Sequence, residues 1–203
     1  MDAAQQEPTT KTDLSVMKIN YLIILLGALV FGAVGSASTT LAAEGLDAAA
    51  QAKVDAKIKA IQTWAANPAI VAAVKAHNAS LPADQAAMTQ EKWQTLSVLD
   101  PFVRGFSKNE AAEFLKSKKD DTTAEMFLSG ADGLKVAFLS KTTYWCHKGK
   151  SKHDVPMTGK CWQGTPGLDE STGMQLVQVS VPVLDGDKPI GSLVVGLSVS
   201  KLD

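Results

Sequence analysis

Residues 174–199 read MQLVQVSVPVLDGDKPIGSLVVGLSV, and their pattern decides the fold. Val177, Val179, Val181 and Val183 recur at every second position, and so do Leu193, Val195, Leu197 and Val199. Successive side chains of a strand point to opposite faces, so each set lines one face of a strand. Asp185-Gly186 lies between the two runs. An Asp-Gly dipeptide flanked by alternating apolar residues predicts a β-hairpin. Pro182 has no N–H to give to a ladder, so it predicts a sheet edge or a bulge.

Working outward, residues 125–128 (EMFL) and 134–140 (LKVAFLS) read as two more strands around the turn sequence SGADG. Upstream the period changes. Leu46, Ala50, Val54, Ile58, Ile61 and Ala65 recur at three- and four-residue steps, which predicts one amphipathic helix. Asn67-Pro68 reads as a cap followed by proline at the first helical position, so a second helix begins there. A short helix follows the turn at residues 81–84, another surrounds Trp93, and a third lies within residues 102–119 with Ser107 or Asn109 as its cap. Helices first and strands afterwards predict an α+β domain with an antiparallel sheet.

The beginning of the chain has a different character. After Lys18, residues 21–34 read YLIILLGALVFGAV, followed by the small residues Gly35, Ser36, Ala37 and Ser38. A positive start, an apolar core of about 15 residues and a small-residue site predict a secretory signal cleaved after Ala43 or Ala37, with Met17 as an alternative start to Met1. The apolar run is shorter than the roughly 20 residues a spanning helix needs, which favours cleavage over an uncleaved inner-membrane anchor. The expected organisation is therefore residues 1–43 as extension and signal peptide and residues 44–203 as one domain. A domain of about 150 residues buries its own core. Export to the periplasm or beyond is an oxidising destination. The chain has two cysteines, Cys146 and Cys161, so one disulfide is expected, stabilising the fold by about 3 kcal/mol on the chain-entropy model.

Composition and motifs narrow the function classes. Net charge is −1 with no basic stripe, which excludes nucleic acid as an expected partner. The sequence has no nucleophile elbow, no Gly-rich phosphate loop and no His-Glu-x-x-His helix, so no enzyme and no cofactor are expected.

Taken in order, the long first helix, NPAIVAAV, the segment around KWQ, the pair EMFLSGADGLKVAFLS, KTTYW, GLDEST and the closing QVSVPVLDGDKPIGSLVVGL resemble the single-Cache type of the Cache family. These are PAS-like extracellular sensor domains of bacterial receptors. The likeness spans residues 46–202. It implies a five-stranded antiparallel sheet with the long helix behind it and a small-molecule pocket on the other side, the short third strand falling near residues 165–169. It also implies recognition of a small solute such as a carboxylate or an amino acid, and action through a membrane receptor or other signalling partner. Helix-mediated homodimers are common in that family. This chain departs from the family by stopping at Asp203 without a second membrane segment or output domain, which implies a stand-alone sensor. It also lacks the tyrosine–arginine–tryptophan signature of one amino-acid-binding branch.

The stretch richest in functional side chains is KTTYWCHKGKSKHDVPMTGKCWQGTPGLDEST, residues 141–172. By their position relative to the related domains, Thr143, Tyr144, Trp145 and Asp169 flank the expected ligand. Lys141 with Thr143 suits a carboxylate, and Asp169 suits an amine. The competing readings are that Tyr144 and Trp145 cap the core and that Asp169 makes a turn. Cys146, His147, His153, Met157 and Cys161 offer an alternative metal-binding or protein-contact function for the same loop, although their spacing matches no zinc-finger pattern. His77 reads as a helix-end residue.

Overall fold

The computed structural model describes residues 45–202. The expected N-terminal extension, the expected signal peptide and its expected cleavage site at Ala43 or Ala37 lie outside those residues. The helices are α1 (Ala48–Ala65), α2 (Pro68–Ala79), α3 (Ala83–Ala86), α4 (Gln90–Thr95), α5 (Pro101–Lys108), α6 (Glu110–Ser117) and the short α7 (Ser151–Asp154). The strands are β1 (Thr123–Gly130), β2 (Lys135–Phe138), β3 (Trp162–Gln163), β4 (Gly167–Leu168), β5 (Gln175–Asp185) and β6 (Lys188–Ser198).

Local chemistry explains most boundaries. The Asp47 side chain caps α1 by accepting from the Ala50 N–H, and Asn67 caps α2 by accepting from Ala69 with Pro68 at the first helical position. The helix expected within residues 102–119 is two helices. Asp100-Pro101 starts α5, and Asn109 ends it and caps α6 by accepting from Ala112. The Asn109 amide also donates to the Val136 carbonyl at 2.8 Å, which fixes the corner against β2.

The sheet is antiparallel, in the order β2-β1-β6-β5-β3, with β4 also on β5. Its centre is the expected hairpin. β5 and β6 pair along their whole length around the two-residue turn at Gly186 and Asp187, where Gly186 takes φ +59°. Pro182 sits where the outer side of β5 has passed its last β3 partner, Ser180, so its missing N–H breaks no ladder. The short third strand expected near residues 165–169 is β4, and a further two-residue strand, β3, precedes it, so the sheet has six strands among the described residues in place of five. β3 pairs with residues 179 and 180 and β4 with residues 175 and 176, and Pro166 lies between them. Val199 falls in a 3₁₀ turn after β6, not on its apolar face.

The two faces of the sheet differ. On one, Met126, Leu128, Val177, Val179, Val181, Val183, Leu193, Val195 and Leu197 pack under Val54, Ile61, Ile70, Val74 and Leu115 of the helices. Each such aliphatic side chain contributes about 1.5–3 kcal/mol when fully buried. On the other face, Phe127, Phe138 and Val194 meet Trp93, Val103, Phe106 and Trp145, and this cluster covers only the β2 side. Toward β5, that second face is left to polar residues. The α+β class, the antiparallel sheet and the long helix behind it agree with the PAS-like architecture that the sequence resemblance implies.

Two glycines give opposite expectations. A Cβ at Gly191 would lie 2.4 Å from the Ser129 carbonyl oxygen and 2.9 Å from Val74 Cγ1. Gly191→Ala should cost about 1–3 kcal/mol, as overpacking does. Gly105, inside α5, has nothing within 4 Å of its Cβ position, and Gly105→Ala should gain up to about 1 kcal/mol from helix propensity. Urea unfolding midpoints check both, and a neutral Gly191→Ala would contradict the packing of α2 on β6.

Candidate functional site

One row of the second sheet face sets the site. Glu125 of β1 and Gln178 of β5 both pair with Gly196 of β6, so the three form a line across the sheet. The missing side chain in the middle is what joins the other two. A Cβ at Gly196 would lie 2.7 Å from Glu125 Cγ and 2.9 Å from Leu176 Cδ1. Through that gap the Gln178 amide donates to Glu125 Oε1. Gln178 Oε1 in turn accepts from the Lys152 ammonium at 2.7 Å.

This row floors a cleft of about 330 Å³. Phe127, Tyr144, Trp162, Leu168 and Leu176 supply apolar and aromatic surface, and Thr142, Thr143, His147 and residues 164–171 complete the rim. Its two sides come from the segment after β2 and the segment before β5. Helix α4 pins the first of these. The Gln90 side chain donates to the Thr143 carbonyl and accepts from the Trp145 N–H, and Trp93 Nε1 donates to the Thr142 carbonyl.

Burial separates the charges of the site. Glu125 is 6% exposed. Burial pushes its carboxyl above the usual range, and nearby Asp169 adds to this. Asp169 is the opposite case. Partial burial disfavours its charge, but hydrogen bonds from Ser171 and Thr172 outweigh that and hold it below the usual range. Burial lowers Lys152, with Glu125 and Asp169 opposing the shift. Behind the Phe127 wall, Lys135 is fully buried. Its ammonium sits 4.2 Å from the Phe127 ring centroid and pairs with His147 Nδ1. Burial pushes both Lys135 and His147 strongly toward their neutral forms.

Three of the five residues expected to bind ligand meet in the cleft: Thr143, Tyr144 and Asp169. Asp169 also makes its turn, Oδ2 accepting from the N–H and hydroxyl groups of Ser171 and Thr172 at 2.6–3.1 Å. Trp145 is placed elsewhere, in the aromatic core 5.1 Å from the Trp93 ring. Lys141 lies over Trp93 at 4.8 Å, outside the cleft lining. In place of the expected disulfide, Cys146 and Cys161 are free thiols. Cys146 lies against the Asp132 carbonyl beside β2, and Cys161 accepts from Gln62 of α1 beside β3, so opposite edges of the sheet hold them apart. The residues of the metal reading are likewise engaged separately. His153 Nδ1 bonds Ser192 Oγ at 2.8 Å and His147 bonds Lys135. Among the described residues, no group of three or more His, Cys, Asp or Glu is arranged to hold a metal ion. His77, at the end of α2, pairs with the Asp132 carboxylate at 3.1 Å.

The sequence reading missed Glu125, Gln178 and Lys152. The first two have the strand parity opposite to the valines and leucines, which reads as a solvent face. The available signal was Gly196, which has the same parity in β6.

Glu125 gives a pH prediction. Its folded pKa lies above its unfolded value, so the native state binds the proton more tightly and loses stability as pH rises through the folded pKa. Glu125→Gln should be more stable than the wild type at pH 7, and the difference should shrink toward zero below about pH 4. Thermal melts across that range check it, and a variant less stable at pH 7 contradicts it.

No family model matches the chain, and neither does any curated protein. Among solved structures, it is similar to the ligand-binding domain of the Campylobacter jejuni chemoreceptor Tlp3, solved in complex with 4-methylisoleucine. Identity is 15% and the TM-score 0.40, over 75% of this chain and 56% of that one. It is similar to the sensor domain of the V. cholerae histidine kinase DctB at 13% identity and TM-score 0.36, over 75% and 58%. For the E. coli DcuS sensor domain the values are 17% and 0.36, over 51% and 80%. The chain spans little more than half the length of the Tlp3 and DctB domains it matches.

Proposed function

We propose that this is an exported sensor domain that recognises a small solute, such as a carboxylate or an amino acid, in the cleft over the Glu125–Gly196–Gln178 row. The observation that carries this reading is the cleft itself. Aromatic walls stand over fixed polar groups from separate strands, the composition typical of small-molecule sites. Its volume of about 330 Å³ is at the lower end of such sites, which suits a solute the size of an amino acid. Sites held on strands are more rigid than sites on free loops, and α4 gives the segment at Thr143 and Tyr144 similar support. Export is part of the proposal and rests on the apolar segment at residues 21–34, with the mature chain beginning after Ala43 in the periplasm or outside the cell. Action through a membrane receptor or another signalling partner is also part of the proposal and rests on the sequence resemblance to sensor domains alone.

Thermal unfolding against a panel of carboxylates, amino acids and amines tests the site. A ligand at a hundredfold over its Kd stabilises by about 2.7 kcal/mol, which for a domain of this size raises Tm by about 5–10 °C. Tyr144→Ala and Asp169→Ala should each remove most of the shift. A shift unchanged in both variants would place the ligand outside this cleft.

A further inference from the structure

The cleft has its own charge pattern. Glu125 Oε1 accepts from Gln178, whereas no donor reaches Oε2 among the described residues, although the residue is 6% exposed and lines the cleft. Asp169 commits Oδ2 to its turn, and Oδ1 has only a 3.5 Å contact with Gln178. Both carboxylates therefore meet at the Gln178 amide, Glu125 through Oε1 and Asp169 through Oδ1 at 3.5 Å, with acceptor capacity left over. A buried carboxylate beside a second one is costly unless a cation accompanies them. Among the described residues that line the cleft, the one lysine is Lys152, on the four-residue helix α7; Lys150 stands outside that lining, over the Tyr144 ring. The Lys152 ammonium is bonded to Gln178 Oε1, one step removed from both carboxylates. The other lysine that would favour a carboxylate solute, Lys141, stands over Trp93 outside the cleft. Phe127, Tyr144 and Trp162 line the cleft, and two of these rings already attract cations of the chain itself: Lys150 lies 3.7 Å from the Tyr144 centroid, and Lys135 and Lys152 lie 4.2 and 5.8 Å from that of Phe127.

We infer that the cleft selects solutes bearing a cationic nitrogen, which donates to Glu125 Oε2 and Asp169 Oδ1 and competes with the Lys152 ammonium for the same two carboxylates. This rests on the reading of the cleft as the solute site and adds a charge class to it. A dicarboxylate meets the like charges of Glu125 and Asp169, with Lys152 the one lysine among the described lining residues. Glu125 is then the main anchor for the amine. Lys152 is a built-in competitor that weakens cation binding while keeping the empty-handed carboxylates partly neutralised.

Isothermal titration of the full chain with butane-1,4-diamine and with succinate, which share a four-carbon length, tests the inference. The diamine should bind and succinate should not. Glu125→Gln keeps the bond from Gln178 and removes the charge, and it should weaken the diamine about tenfold or more, the usual loss for a charge-assisted hydrogen bond. Lys152→Met should tighten it severalfold. Thermal melts verify folding, and Asp169→Asn substitutes if Glu125→Gln does not fold. Succinate binding that is lost in Tyr144→Ala would overturn the charge class and leave the solute site standing. Absence of diamine binding at tens of millimolar, or weaker binding in Lys152→Met, would also overturn the inference. Diamine binding unchanged in both Glu125→Gln and Tyr144→Ala would remove the cleft as the site altogether.

Discussion

A carboxyl group lies across a glycine. The hydrogen bond from Gln178 to Glu125 spans β6 only because Gly196 leaves room above the strand, and it holds a buried acid on a sheet face that is aromatic toward β2 and mainly polar toward β5. Burying such a group costs free energy unless it is bonded and its charge is matched. Much of the local structure meets that requirement. Gln178 satisfies one oxygen and Lys152 bonds Gln178 from the loop side, whereas the turn at Asp169 places a second carboxylate nearby that adds to the cost. The cleft is the space these groups leave between them.

The two faces of the sheet divide the work. The face under α1 and α2 is a continuous aliphatic core that holds β5, β6 and β1 in register. The other face is closed by aromatic packing only beside β2, where Trp93 and Trp145 meet Phe106 and Phe138. Beyond that packing, the loop between β2 and β5 covers polar ground. The hairpin is thus a platform in the literal sense. Its valines and leucines face the helices, and the residues between them, Gln178 and Gly196, face the site.

Period-two alternation made the hairpin legible because one face of it is a continuous core, and Asn67-Pro68 and Asn109 were legible because a cap is a local event. The segments after β2 and before β5 that flank the cleft were legible by position, and Thr143, Tyr144 and Asp169 do meet in it. Trp145 and Lys141 were not legible, because which side of a loop a residue faces is decided by what packs on it, here α4 through Gln90 and Trp93. Glu125 and Gln178 were hidden for a related reason. A polar residue alternating with valines reads as solvent-facing, and only the covering loop, far away in sequence, turns that face into the floor of a cleft. The cysteines show the limit of counting. An even number in a chain expected to be exported suggests a bridge, yet the opposite sheet edges beside which Cys146 and Cys161 sit keep them apart.

The central claim is that the cleft over Glu125, Gly196 and Gln178 is where this protein holds its solute. The most direct measurement is a crystal structure of the full chain purified from its native compartment without added ligand. The account predicts density for a small solute in the cleft, with a nitrogen within hydrogen-bonding distance of Glu125 Oε2. Density for a bound solute elsewhere, as in the groove between α2 and α5, with only water over Gln178, would contradict it.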